Sequence, residues 1–142
     1  MIVLDTTVLS YAVGVEHPLR DPCRRVLEAH GSGLIEATTT IEVLHEFAHV
    51  RARRRPRSNA VALARGYREA FQLLTTHLED LELGLTLFER HPRLGIFDAM
   101  LAAVAINRRA AALISADQAF GDVAELTWVD PATSALGRLI GG

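Results

Sequence analysis

Met1-Ile2-Val3-Leu4-Asp5-Thr6-Thr7 is the stretch from which the rest of the chain takes its meaning. Four consecutive apolar residues, two of them β-branched, read as a short strand covered on both faces, because a strand with one wet face would alternate. Asp5 ends the run, and Val8, Leu9, Tyr11 and Ala12 continue at helical spacing. A carboxylate at the C-terminal end of a buried parallel strand stands where open α/β sheets collect ligands and reacting groups. The same residue is also a good helix cap, as are the two threonines. Taken alone, the cap is the simpler reading. It yields only if other carboxylates fall at equivalent places farther along.

The totals set the frame. With 142 residues the chain can bury roughly two-thirds of its unfolded surface, which is enough for one domain over residues 1–142 without metals or disulfides as staples. The composition, 49% apolar and 23% charged, is that of a globular protein. No apolar run approaches the length that spans a bilayer and no leader-like segment stands at the start, so no membrane association and a cytoplasmic location are expected. The single Cys23 excludes an internal disulfide and a thiolate zinc cluster. A formal charge of −2 gives no global attraction to a polyanion, so nucleic acid would have to be held by a local patch. Such a patch exists. All 15 basic residues are arginines, and Arg51, Arg53, Arg54, Arg55, Arg57, Arg65 and Arg68 lie in a stretch free of Asp and Glu. Arginine grips phosphate through two parallel hydrogen bonds, although a solvated helix face explains such a run equally well.

Along the chain, strands alternate with helical patterns. After the first strand and its short helix, residues 14–22 read as a loop and a helix runs from about Pro22 to the stop at Gly31 and Gly33. A second strand is expected over residues 34–37. Thr38, Thr39 and Thr40 offer caps for a helix through Ile41, Val43, Leu44, Phe47 and Val50, which fades in the arginine run before Pro56. A long amphipathic helix restarts at Ser58, a weak strand is expected over residues 78–83, and residues 85–90 read as helical. Residues 96–108 carry the most hydrophobic helix, with no polar side chain from Ala99 to Ile106, so it should be buried. Strands near residues 111–115 and 126–129 and a closing helix complete an α/β pattern. The expected fold is a three-layer sandwich with a mostly parallel central sheet flanked by helices.

Four acids occupy comparable places: Asp5, one of Glu42 or Glu46, Asp98 and Asp117. Three of them stand at strand-to-helix junctions or in the opening turn of a helix, and in a parallel sheet those junctions gather at one edge. Each is explained singly as a cap or a partner of the helix dipole. Together they are harder to explain that way, since neighbouring carboxylates repel unless a cation neutralises them. All-oxygen donors without soft ligands favour Mg²⁺ or Mn²⁺. On a helical wheel of ~100° per residue, Glu46 lies about 40° beyond Val50 at the rim of the apolar face and Glu42 about twice as far out. Glu46 is therefore the expected ligand and Glu42 an outer helper.

At this point the chain resembles a family. The blocks I-V-L-D-T-T (residues 2–7), E-V-L-H-E-F-A-H-V-R-A-R-R (42–54), F-D-A-M-L-A-A-V-A-I (97–106) and L-I-S-A-D-Q-A-F (113–120), in this order and spacing, are similar to PIN-domain ribonucleases of the VapC toxin type. The resemblance implies an acidic metal-binding quartet of Asp5, Glu46, Asp98 and Asp117, with hydroxyl helpers at Thr6 and Ser115 and Asp122 as a further acid. It implies hydrolysis of RNA by carboxylate-held Mg²⁺ or Mn²⁺, with Arg51, Arg53, Arg54, Arg55 and Arg57 holding the backbone. It also implies a cognate antitoxin and a homodimer, for which exposed apolar positions over residues 60–74 are one expected contact surface. The rival reading is a catalytically silent PIN-like module that binds RNA or protein. A haloacid-dehalogenase phosphohydrolase is disfavoured because Thr7 stands where that family needs a second Asp. His45 and His49, four apart, lack a third soft ligand and read as surface residues, and Phe120 and Trp128 read as core.

Overall fold

The computed structural model describes residues 1–141. Its centre is a four-stranded, all-parallel sheet in the order β2-β1-β3-β4. The strands are short: β1 (Ile2–Leu4), β2 (Ala37–Thr38), β3 (Ala112–Ile114) and β4 (Trp128–Val129). β1 and β3 lie in the middle, and all six of their residues are buried, as an uninterrupted apolar run requires. Among the described residues seven α-helices flank the sheet: α1 (Thr6–Ala12), α2 (Arg20–Gly31), α3 (Ile41–Ala52), α4 (Arg57–Ala70), α5 (Leu78–Arg90), α6 (Ile96–Asn107) and α7 (Ser134–Gly141). The α/β sandwich expected from the sequence is the observed fold. β1 pairs with β2 on one side and β3 on the other, so the chain leaves the sheet in opposite directions from its two central strands. That reversal opens a crevice at their C-terminal ends, and Asp5 sits in it, its N–H donating to the Ile114 carbonyl at 3.1 Å.

Two expected strands are corrected. Residues 78–83 are helical, part of α5. Leu81, Leu83, Leu85 and Leu87 alternate with other residues and so mimic a strand, but the N-terminus is locked by a capping box between His77 and Asp80. The helix then packs along α6, where Gly84 lies so close to Met100 that a Cβ would come within 2.4 Å of its sulfur. Residues 34–37 also differ, since β2 begins only at Ala37. The N–H groups of Leu34 and Ile35 both turn back to the Ala29 carbonyl, closing α2 through Gly33 at φ +80°. Leu34 is left 65% exposed.

α6 is buried as its composition demands, with Ala99 and residues 101–105 in the core. Its most extensive partner is α5, with a smaller contact on β3. Phe120 is wholly buried, and the half-buried Trp128 packs on the core and donates its indole N–H to the Ser115 carbonyl at 2.9 Å. Among the described residues no helix is long and apolar enough to cross a membrane.

Candidate active site

Asp5 is the best-anchored acid. It caps α1 weakly, accepting from the Thr7 N–H at 3.4 Å, so the simple reading of this residue is true as well. Stronger bonds come from two hydroxyls: Ser115 Oγ donates at 2.7 Å and Thr7 Oγ1 at 3.0 Å. All three donors converge on Oδ2, and no side chain among the described residues donates to Oδ1. One oxygen is thus fixed and the other left for a ligand. The two hydroxyls are themselves held, since the Ala116 N–H donates to Thr7 Oγ1 at 3.0 Å and the Asp117 N–H to Ser115 Oγ at 2.9 Å. This small network ties the end of β1 to the end of β3.

Around Asp5 stand three further carboxylates. Glu46 and Asp98 line the same cavity of about 580 Å³ as Asp5. Asp98, in the first turn of α6, has its carboxyl pushed up to about 8 by burial, by the charges of Asp5, Asp117 and Glu46, and by hydrogen bonding to Asp117. Glu46, on α3, is also raised, by burial and by Asp5, against the pull of the nearby Thr6 hydroxyl and His49. Asp5 itself is raised by burial in spite of its donors. Asp117 caps the 3-10 turn Gln118–Asp122, its Oδ1 accepting from the Ala119 N–H at 3.0 Å, and is exposed. The structure therefore brings Asp5, Glu46 and Asp117 within electrostatic reach of Asp98, from four separate segments.

The other expected residues divide. Glu42 is exposed at the mouth of the cavity and accepts a hydrogen bond from the Thr76 hydroxyl. Asp122 is engaged by Arg93, which donates from Nε at 2.8 Å and Nη2 at 2.7 Å to its two oxygens. Both oxygens are occupied, and Asp122 is not among the charges that raise Asp98. Thr6 is buried with its hydroxyl unpartnered, so it does not hold Asp5. That task falls to Thr7, which the sequence reading passed over. The available signal was the hydroxyl two residues after an Asp, the spacing of a side-chain turn. His45 and His49 are exposed at the cavity, and His49 Nε2 lies 3.1 Å from Arg53 Nη2.

The arginines are not equivalent. Arg51 donates to Asn59 Oδ1 at 2.8 Å and to the Val13 carbonyl at 3.2 Å, joining α3 to α4 and to the end of α1. Arg54 and Arg55 are exposed and line a second hollow that shares Glu46 with the first. Arg57 is exposed and opens α4. The exposed apolar surface also lies elsewhere than expected. On α4 it amounts to Val61, whereas Leu78, Leu81, Leu85 and Phe88 form a stripe on α5, next to Phe97 on α6.

The donor set fits a hard divalent cation. It consists of carboxylates, an Asp5 oxygen without a side-chain donor, and the buried Thr6 hydroxyl beside Glu46. Among the described residues no three His, Cys, Asp or Glu side chains are drawn tightly enough together to hold an ion as placed. The other three acids are near enough to Asp98 for their charges to raise it.

Comparison with known proteins agrees with this geometry. The PIN domain family model matches residues 2–126. The chain is 49% identical to Ribonuclease VapC7 of Mycobacterium tuberculosis over 99% of both chains, and 35% identical to Ribonuclease VapC23 of the same species over 70% of this chain and 79% of that one. Among solved structures, VapBC2 from Rickettsia felis bound to a promoter DNA fragment aligns with TM-score 0.72 at 18% identity, covering 92% of this chain and 98% of the other. A toxin–antitoxin complex from Klebsiella pneumoniae aligns with TM-score 0.69 at 16% identity over the same shares. With four acids meeting at the crevice of a parallel sheet, a family model spanning most of its length and a relative almost half identical from end to end, the chain belongs to the PIN domain family, in its VapC ribonuclease branch.

Proposed function

We propose that this protein is the ribonuclease toxin of a toxin–antitoxin pair and cleaves RNA phosphodiester bonds with Mg²⁺ or Mn²⁺ held by Asp5, Glu46, Asp98 and Asp117. The observation that carries the reading is the perturbed carboxyl of Asp98, pushed to about 8 by burial and by the charges of three neighbouring acids. Such a cluster destabilises the fold and would itself repel an RNA phosphate, so it serves a purpose only with a cation. A divalent ion supplies polarisation of the scissile phosphate and a water acidic enough to be hydroxide near neutral pH. The chain's own contribution is placement. Ser115 and Thr7 fix Asp5 through Oδ2, and Asp98 would hold the ion as a carboxylate. Arg54 and Arg55, exposed beside Glu46, hold the RNA backbone next to the acids, with Arg53 and Arg57 adding positive charge at a distance.

The complexes in which the structural relatives occur support an antitoxin partner here too. The 580 Å³ cavity offers it a largely apolar wall from Leu81, Met100, Leu101 and Val104, with the acids at one end. A segment seated on that wall would cover the acids and block RNA. The exposed stripe on α5 supports a homodimer contact. The test of the nuclease reading is RNA cleavage by the purified protein in Mg²⁺ and in EDTA, repeated with Asp5→Asn and Asp98→Asn. Cleavage in Mg²⁺ by the wild type alone is expected, and equal cleavage in all samples would end the reading. The partner reading is tested by mass measurement of the chain alone and co-expressed with the product of a neighbouring short gene. A dimer and a stable complex are expected, and a monomer without a partner refutes them.

A further inference from the structure

The acids reach the crevice from two layers of the fold. Asp5 and Asp117 follow the central strands, and the Ser115 and Thr7 hydroxyls already tie those two strand ends together. Asp98 arrives from the helix layer, in the first turn of α6. Among the described residues α6 makes its broad contact with α5 and a small one with β3, and none of comparable extent with the turn Gln118–Asp122. One side chain spans that gap. Arg93 lies in the short connection between α5 and α6, where the Leu94 N–H turns back to the His91 carbonyl at 3.0 Å and Leu94 is buried in the core. The base of Arg93 is therefore firmly held.

Its head grips the turn that starts after Asp117. The guanidinium donates from Nε at 2.8 Å to Asp122 Oδ2 and from Nη2 at 2.7 Å to Oδ1, and Nη2 also faces the Gln118 carbonyl at 3.5 Å. Gln118 and Asp122 are the first and last residues of the 3-10 turn that Asp117 caps. One planar fork thus meets both ends of the turn. Two parallel bonds fix orientation as well as distance, which a single charge on a flexible stem does not. A second pair runs the same way, from Arg90 Nη1 at the end of α5 to Glu125 Oε1 beyond the turn, at 3.7 Å. With side chains 60% and 35% exposed, the Arg93–Asp122 pair adds little to stability. Its effect is on placement.

We infer that Arg93 is a positioning residue of the acidic site: by clamping the turn after Asp117 to the connection that leads into α6, it fixes where Asp117 stands relative to Asp98 and so preorganises two of the acids for a divalent cation. Asp122 is its anchor and not a ligand. This role rests on the proposed cation site, to which it adds a joint between the helix layer and the sheet. Charge and placement predict different signs. Arg93 is made more basic first by its hydrogen bonds to Asp122 and last by the charge of Asp117, so its own charge reaches Asp117 and opposes a cation there. Through charge alone, loss of Arg93 would strengthen cation binding and loss of Asp122 would weaken it. Through placement, both losses weaken it.

The test is Mn²⁺ binding in the absence of RNA, read from the electron paramagnetic resonance signal of free Mn²⁺ as it is titrated into the wild type, Arg93→Gln, Asp122→Ala and the double variant. Each single substitution is expected to weaken Mn²⁺ binding about tenfold. The double variant should be no weaker than either, because the two side chains act as one clamp. Melting temperatures in metal-free buffer should change by no more than about 4 °C, as for other exposed pairs. A larger fall would mark the pair as a support of the whole fold and overturns its role at the site. Tighter or unchanged Mn²⁺ binding by Arg93→Gln overturns it too. So does a double variant weakened by the product of the single effects, which would make Asp122 a ligand in its own right. If the wild type binds no Mn²⁺, the proposed cation site itself falls. If it binds and Arg93→Gln binds equally well, the site stands and only the clamp falls.

Discussion

Asp80 and Asp98 lie on neighbouring helices and are treated in opposite ways by their surroundings. Asp80, at the start of α5, is 0% exposed, and burial alone would push its carboxyl up. Donors reverse that. The His77 N–H at 2.8 Å, the Asn107 amide at 2.8 Å and the Arg108 guanidinium at 3.1 and 3.2 Å hold it below the usual carboxylate range. Asp98 is less buried and yet is pushed up to about 8, because its neighbours are acids. A buried carboxylate with its donors in place belongs to the architecture. One surrounded by its own kind belongs to the chemistry, and the difference lies in the partners rather than in the depth of burial.

The comparison breaks if the two aspartates respond alike to removal of their charge. Asp98→Asn is expected to lower Mg²⁺-dependent RNA cleavage by more than about a hundredfold, beyond the loss usual for a group that merely supports a metal ligand. Its melting temperature should not fall, because the substitution relieves repulsion. Asp80→Asn has the reverse profile. Removing one member of a buried ion pair and leaving Arg108 uncompensated costs about 3 kcal/mol of stability, measurable by urea unfolding. Its cleavage rate below the unfolding range should match the wild type. Loss of stability in the first variant, or of activity alone in the second, would erase the distinction.

Ser115→Ala sharpens the site half of the comparison. It removes the shortest of the hydrogen bonds that fix Asp5. Cleavage should drop on the order of tenfold, with a higher Mg²⁺ requirement in titrations. An unchanged Mg²⁺ dependence would mean that Asp5 needs no such support.

The smallest effects are in pH, and the signs are opposite. Asp98 is raised from 3.8 to about 8, so its proton favours the fold. In metal-free buffer its contribution to stability is full below about pH 4 and is lost as pH rises through about 8. Asp80 is lowered, so its contribution is present above the ordinary carboxylate pKa and is lost as pH falls through the lowered value. Melting temperatures measured from pH 3 to 8 should lose the neutral-side decline in Asp98→Asn and the acid-side decline in Asp80→Asn. A wild-type curve that rises between pH 5 and 8 would contradict the first assignment.

Three of the acids were legible in the sequence because local order placed them: Asp5 and Asp117 follow strands and Asp98 sits early in a helix. The helical wheel of α3 favoured Glu46 over Glu42, and the four blocks in family order agreed. Residues 78–83 were misread because Leu81 and Leu83 begin an alternation that continues to Leu85 and Leu87, whereas the packing of Gly84 on Met100 and the cap at Asp80 make them helical. Thr6 and Thr7 could not be told apart from residue type. Which hydroxyl meets Asp5 depends on where α1 places each side chain once β3 brings Ser115 and Ala116 alongside. The arginine run was visible as charge, but its division into the structural Arg51 and the free Arg54 and Arg55 was not.

By itself the sequence determined the alternation of buried strands and helices and the parallel sheet, and it singled out the four acids as candidates. These are properties of short windows, set by hydrophobic period and by what ends each run. Only the tertiary structure decided how the acids perturb one another, which hydroxyls are satisfied and which are left waiting, and which aspartate is neutralised by donors from a neighbouring helix. Those depend on contacts between residues as far apart as Asp5 and Ser115, and charge and hydrogen bonding act through space, not along the chain.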